Sequence, residues 1–190
     1  MVSDKNIRQE RLGKALRANL LKRKQQQRQR ENSVAEPYGE KIVKEKSGRA
    51  RHGSRMAGIQ ALYQAEQMGQ DAPSVVRDFT NHHFTESEGM FATPPDVNFF
   101  KGLVEGVHTN IALIDPVVQS CLQENWRMER LPSVMRSLLR AGTYELMYEP
   151  LVPTPVVLNE YIEIAKDFFQ DRDVSFVNGI LDAIAKKVRN

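Results

Sequence analysis

The chain has 190 residues, 41% of them hydrophobic and 27% charged, which is enough apolar material for one ordinary core. No apolar run approaches the roughly 20 residues that a bilayer span needs, and residues 1–30 carry charges throughout, so neither a membrane span nor a secretory leader is expected and the protein is placed in the cytoplasm. The formal net charge of +3 conceals a division: residues 1–55 hold 16 Lys and Arg against 6 Asp and Glu, giving +10, and residues 56–190 hold 11 against 18, giving −7.

Such polarity points to a polyanion partner for the basic end, with nucleic acid the first candidate and an acidic membrane surface the second. Cys121 is the only cysteine, so an intramolecular disulfide and a cysteine-cluster zinc site are both excluded. Its neighbours Ile114, Val117, Val118 and Leu122 make it a small core residue.

Residues 1–33 are dominated by Arg, Lys, Gln and Glu, with a narrow apolar set at Leu12, Ala15, Leu16, Leu20 and Leu21 followed by KRKQQQRQR. A helix that short is marginal in water by itself, so residues 1–48 are expected to be a basic arm, disordered or partly helical. Three roles stay open for it: a solubilising tail, an arginine-rich RNA-binding arm, or a membrane-surface helix with too few aromatics to anchor well. Ser33 to Ser54 continues as linker, interrupted by Pro37, Gly39, Gly48 and Gly53. The folded domain is expected over 49–190.

Ser54 is the expected N-cap of a helix using Ala57, Ile59, Ala61, Leu62, Ala65 and Met68 and ending at Gly69. Arg49, Arg51, His52 and Arg55 lie just before it or in its first turn, where the helix dipole disfavours positive charge. A bound phosphate would reconcile them with that position; an ordinary solvated cluster is the other reading. Ser74 to Phe84 is expected to be a short helix and His82 to Pro95 a loop. His82 and His83 are adjacent, which does not put two imidazoles on one helical face, so no metal site is expected.

Asp96 to Asn110 carries Val97, Phe100, Leu103, Val104 and Val107 on one stripe, and Asp115–Pro116 is expected to open a separate helix. Pro132 fits the first position of the next one, whose buried side is Val134, Leu138, Leu139 and Leu146, with Trp126 expected to plug the core beside it. Pro150, Pro153 and Pro155 then break the chain. Thr154–Pro155 caps a helix with Ile162, Ile164, Ala165, Phe168 and Phe169. The polar turn Gln170–Asp173 follows, and Ser175 is the expected N-cap of a last helix with Phe176, Val177, Ile180, Leu181, Ile184 and Val188 on its stripe. Gly179 inside that helix suggests close approach by another helix or chain. About seven helices and no strand pattern emerge, so the fold is all-α.

An enzyme would need a phosphate loop, a metal cluster or a nucleophile beside a base, and none is legible. Glu160, Glu163 and Asp167 read as a solvated helix face. No catalytic residue and no cofactor are expected.

Three stretches resemble the NusB family of transcription antitermination factors. RMAGIQALYQAEQ is similar to its opening helix, NWRMERLPSVMRSLLRAGTYELMY follows its pattern W…RL…V.R..LR...YEL, and NEYIEIAK with FVNGILD is similar to its C-terminal signature. The resemblance covers roughly residues 49–190 and implies two small helical bundles that bind RNA. It implies that Arg49, Arg51, His52 and Arg55 contact RNA, together with Asp173, Ser175 and Phe176; Phe176 also reads as a core residue. The turn here lacks the family's usual glycine and adds Arg172, an extra candidate for phosphate. The resemblance further implies boxA-type single-stranded RNA of ribosomal RNA leaders as ligand, ribosomal protein NusE as partner, and RNA polymerase reading through terminators as outcome. Tyr63 and Met135 fall on the NusE-facing helices, though Tyr63 is equally a core candidate and Met135 replaces an acidic residue. Two other roles go with such a domain: an accessory to ribosomal RNA cytosine methyltransferases, and a homodimer that covers the RNA-binding arginines.

Overall fold

The computed structural model describes residues 39–84 and 93–189, with side chains from residue 47 onward. The expected helix around Leu12–Leu21 and most of the loop before Pro95 lie outside the described residues. The chain divides into two units, Met1–Glu45 and Lys46–Asn190; of the first, only the helical backbone from Gly39 is described. The described residues form six α-helices, a π-helical turn and one 3-10 turn, and no strand.

Helix α1 (Gly39–Met68) begins fifteen residues before the expected cap at Ser54. Gly48 and Gly53 each cost a helix about 1 kcal/mol, but tertiary contact outweighs that propensity. Gly53 and Ser54 are buried, and the Ser54 hydroxyl lies 3.0 Å from the Ala50 carbonyl and 2.8 Å from the Asp96 carbonyl. Ser54 thus fastens the front of α1 to the start of the helix beginning at Val97 instead of capping α1. The far end is as expected: Gly69 has φ +62° and the Gln70 amide donates to the Ala65 carbonyl, a Schellman closure.

Helix α2 (Ala72–Asp78) is capped by Asp71, whose carboxylate accepts from the Ser74 amide at 2.7 Å, and runs into the π-helical turn Phe79–His83. Helix α3 (Val97–Cys121) starts where expected, capped by Asp96, whose carboxylate accepts from the Phe99 amide. It does not break at Asp115–Pro116. Pro116 leaves the Ala112 carbonyl without its helical donor, yet Ile111, Ala112 and Leu113 are exposed, so water can serve that carbonyl.

Helix α4 (Ser133–Tyr148) is buried on most of its surface, through Met135, Leu138, Leu139, Ala141, Gly142 and Leu146. It is the centre of the fold. Two glycines let neighbours approach: a Cβ on Gly106 would collide with the Tyr144 ring, and one on Gly142 would meet Leu181 at 2.9 Å. At Gly179, by contrast, a Cβ would meet nothing within 4 Å, so no element of the described chain accounts for that glycine.

Helix α5 (Thr154–Phe168) and helix α6 (Asp171–Val188) form the C-terminal hairpin. α6 starts four residues before Ser175, because Asp171 and Asp173 suit the positive end of a helix dipole. Ser175 is inside the helix, its hydroxyl donating back to the Asp171 carbonyl at 2.8 Å. Beyond α6, Arg189 donates to the carbonyls of Glu145, Leu146 and Glu149 at 2.7–2.9 Å. Of these, the Leu146 carbonyl is the one left without a helical donor, because residue 150 is proline, while the Glu145 and Glu149 carbonyls also accept from the Glu149 and Val152 amides.

The core comprises two apolar clusters. The larger joins α3, α4, α5 and α6 with Ile59 of α1; the smaller joins Ala57 and Ala61 of α1, Val75 and Val76 of α2, Phe79, and Phe100 and Val104 of α3. The fold is therefore all-α and two-bundled, with α1 and α3 contributing to both.

A candidate RNA interface at the front of helix α1

The four basic residues expected at the RNA path do not share one environment. Arg49 and Arg51 are exposed, and Arg51 lies 5.6 Å over the Phe99 ring. His52 is half-buried, its Nδ1 3.0 Å from Glu160 Oε2 on α5. Arg55 is only 3% exposed.

Arg55 is held by a fork: its Nε donates to Glu145 Oε1 at 2.7 Å and its Nη2 to Glu145 Oε2 at 2.8 Å, while Nη1 reaches Glu160 Oε2 at 3.2 Å. The Tyr161 hydroxyl also donates to Glu145 Oε1, at 2.8 Å. Burial works against the charge on Arg55, but the hydrogen bond and charge of Glu145 outweigh it and keep the guanidinium protonated. Burial, reinforced by the Glu145 charge, pushes the Tyr161 hydroxyl well above its ordinary range. The guanidinium has its remaining face 5.0 Å over Phe99. Arg55 therefore binds α1 to α4 and α5, with its guanidinium turned to the buried Glu145 and away from solvent. That is a correction to the expectation for this residue, and its cause is a buried carboxylate partner.

Glu160 belongs to this network instead of a plain solvated face. Glu163, by comparison, pairs along the surface with Lys166. Glu145 and Tyr161 were the residues that sequence reasoning missed. The available signal was a glutamate flanked by Gly142, Leu146 and Leu139 on the buried side of α4.

The second expected group sits at the start of α6. Arg172, Asp173 and Ser175 are exposed, and Phe176 is half-buried against Trp126, with ring centroids 5.3 Å apart. Trp126 is 44% exposed, so it lies on the surface and is not the expected core plug. Glu160, which touches His52, precedes the end of α5 at Phe168 by eight residues, about 12 Å along a helix. The hairpin thus touches the front of α1 through Glu160 and Trp126 through Phe176.

Of the two expected partner residues, Tyr63 is 40% exposed on α1, whereas Met135 is 4% exposed and packs in the core of α4. Met135 is corrected to an interior residue. The surface beside them is polar: Glu66 of α1 accepts from Arg136 and, at 2.7 Å, from Arg140 of α4, and Arg140 forms a two-bond fork with Asp115 of α3, both at 2.8 Å. Burial raises the Glu66 carboxyl, but the two arginines more than offset it and hold it below the usual range. Among the described residues no group of three or more His, Cys, Asp or Glu could hold a metal ion, and no helix is long and apolar enough to cross a membrane.

Six helices around two cores that share α1 and α3, with exposed arginines at the front of α1 and Phe176 of α6 against Trp126, define an all-helical module with a basic edge. The chain belongs to the NusB family, whose profile matches residues 52–186. It is similar to the transcription antitermination protein NusB of Caulobacter vibrioides, 48% identical over 138 residues that cover 72% of this chain and 93% of that protein. Among solved structures it is similar to T. maritima NusB, 33% identical with TM-score 0.60, over 72% of this chain and 91% of the other. A solved complex of the antitermination factors NusB and NusE with dsRNA shares the fold at TM-score 0.62 and 24% identity, over 73% of this chain and 98% of the other.

Proposed function

We propose that the protein is a cytoplasmic transcription antitermination factor and not an enzyme: it binds boxA-type single-stranded RNA of ribosomal RNA leaders together with NusE, and so helps RNA polymerase read through terminators. The observation that carries this is the 48% identity to an antitermination protein over nearly its full length. The folded RNA-binding part is residues 49–190, preceded by the basic extension 1–48. Arg49, Arg51 and His52 meet phosphates at the front of α1, and Arg172 adds charge beside Ser175 and Asp173 at the start of α6. Phe176, with Trp126, offers a face on which an unpaired base stacks. NusE docks along α1 and α4, on Tyr63 and the Glu66–Arg136–Arg140 surface.

Fluorescence anisotropy with a boxA-like and a scrambled RNA, each with and without NusE, tests the proposal. NusE should tighten binding of the boxA-like RNA, and Phe176→Ala should cost about 1–3 kcal/mol of that binding if one base stacks there. Equal affinity for both RNAs, unmoved by NusE, would sink the antitermination role.

A further inference from the structure

The contacts of α1, α3 and α4 fix how these helices run past one another. α1 and α3 are parallel, because Arg55 lies over Phe99 and a Cβ on Gly58 would meet Leu103 at 2.8 Å. α4 is antiparallel to both. Along α1 from Arg55 to Glu66 the partners on α4 step back from Glu145 to Arg140, and along α3 from Gly106 to Asp115 they step back from Tyr144 to Arg140. One turn further toward the front on the three helices stand Arg51, Gly102 and Tyr148.

Arg51 is exposed and lies 5.6 Å over the Phe99 ring, a contact that directs a guanidinium without neutralising it. At Gly102, unlike Gly106, a Cβ would meet nothing within 4 Å, so α3 is open there down to its backbone. Tyr148 ends α4 and is 37% exposed, and its ring is tilted by 32° against that of Tyr144 with 5.1 Å between centroids. Tyr144 in turn fills the notch left by Gly106, so Tyr148 is propped by a fixed neighbour. Burial, followed by the charge of Glu149, raises the Tyr144 hydroxyl above its ordinary value, so that phenol adds no negative charge to the surface at neutral pH.

We propose that Tyr148, with the open backbone at Gly102 and Arg51 at the same end of the bundle, is a subsite for one nucleotide of single-stranded RNA, separate from the Phe176–Trp126 pair. The base stacks on Tyr148 and the phosphate meets Arg51, with Phe99 as a positioning residue that acts through Arg51. The inference rests on the RNA-binding role proposed above. An unpaired nucleotide brings a flat ring and an anion together, which is what a propped tyrosine and an aimed guanidinium receive. The missing side chain at Gly102 lets a flat ring approach the backbone. An apolar protein segment would cover the tyrosine but bring Arg51 no anion.

The test uses the full chain and the anisotropy measurement above, repeated across a salt series, with urea unfolding confirming that each variant is folded. Tyr148→Leu should weaken binding of both RNAs by about five- to 150-fold, the loss of one stacked base, without changing the salt slope. Tyr148→Phe, which keeps the ring, should bind like the parent, as should Leu113→Ala, a change at an exposed apolar residue elsewhere on α3. Arg51→Gln should flatten the salt slope by about 0.7, the value for one phosphate on a single strand. Gly102→Gln removes no contact but fills the open floor; it should weaken both RNAs while leaving the fold at least as stable, since glycine is a poor helix residue. Tyr148→Leu or Gly102→Gln binding RNA as tightly as the parent overturns the subsite. So does a Tyr148→Leu variant whose only loss is the tightening by NusE, because the surface then docks a protein. If the parent shows neither boxA preference nor a response to NusE, yet Tyr148→Leu still loses affinity, the subsite stands and the antitermination role falls. A parent that binds neither RNA removes both.

Discussion

Two ion-paired networks fasten α1 to α4, one at each end of their contact, and they differ in how much water reaches them. At the front, Arg55, Glu145 and Tyr161 are almost wholly buried, and Glu145 is fully enclosed. At the back, Glu66, Arg136, Arg140 and Asp115 keep between 14% and 33% of their side chains exposed. The charges are alike but the consequences differ. Removing one member of a dry pair strands the other in a medium that cannot solvate it, whereas a wet pair exchanges its partner for water. The front network is thus a fixed joint, and the back one is a surface whose arginines another protein could engage without unfolding the chain.

The contrast is broken most severely by Glu145→Ala, which leaves the Arg55 guanidinium buried without its fork. A loss of about 3–5 kcal/mol is expected in urea unfolding, and a value near that of an exposed pair would mean the site is wetter than its burial implies. Tyr161→Phe removes one hydrogen bond to Glu145 and should cost about 1–3 kcal/mol because the acceptor is charged. It should also change the alkaline behaviour. The folded-state value of Tyr161 is raised, so its stabilising effect is complete below the ordinary tyrosine value of 10.0 and fades as pH climbs from there toward the folded value. Stability measured above pH 10 should therefore decline in the parent and decline less in the phenylalanine variant.

Glu66→Ala sits at the small end, at about 1 kcal/mol or less by the same unfolding measurement. Because the Glu66 carboxyl is held below its ordinary value of 4.5, its contribution is present above that pH and is lost as pH falls toward the folded value. A parent whose advantage over Glu66→Ala disappears on acidification sharpens the distinction. A difference as large as that of Glu145→Ala would erase it.

How much of this was legible in the sequence depends on whether a residue's role is local. The helix stripes and the Gly69 closure were readable because each depends on residues a few positions apart. The front of α1 was not, since Gly48 and Gly53 argue against a helix locally and only the buried Ser54 link to Asp96, 42 residues away, reverses the balance. Likewise α3 passes through Pro116 because its surroundings leave the orphan carbonyl wet, and Asp115 serves Arg140 instead of a cap. For the candidate interface, the sequence located the cluster from Arg49 to Arg55 but could not tell an arginine facing solvent from one facing Glu145. Phe176 was legible as both core and surface, and it is half of each. Trp126 was misplaced because no sequence pattern shows that its packing partner is itself at the surface.

The Arg189 side chain that closes the end of α4 gives the fold a temporal order. A ribosome delivers α4 some 40 residues before the guanidinium that bonds the Glu145, Leu146 and Glu149 carbonyls at its end. Until then the Leu146 carbonyl has only water to bond, and it is closed when the α5–α6 hairpin has brought Arg189 to it. Synthesis from one end thus completes the interior last, and a chain stalled within α6 would carry its most buried helix in an unsealed state.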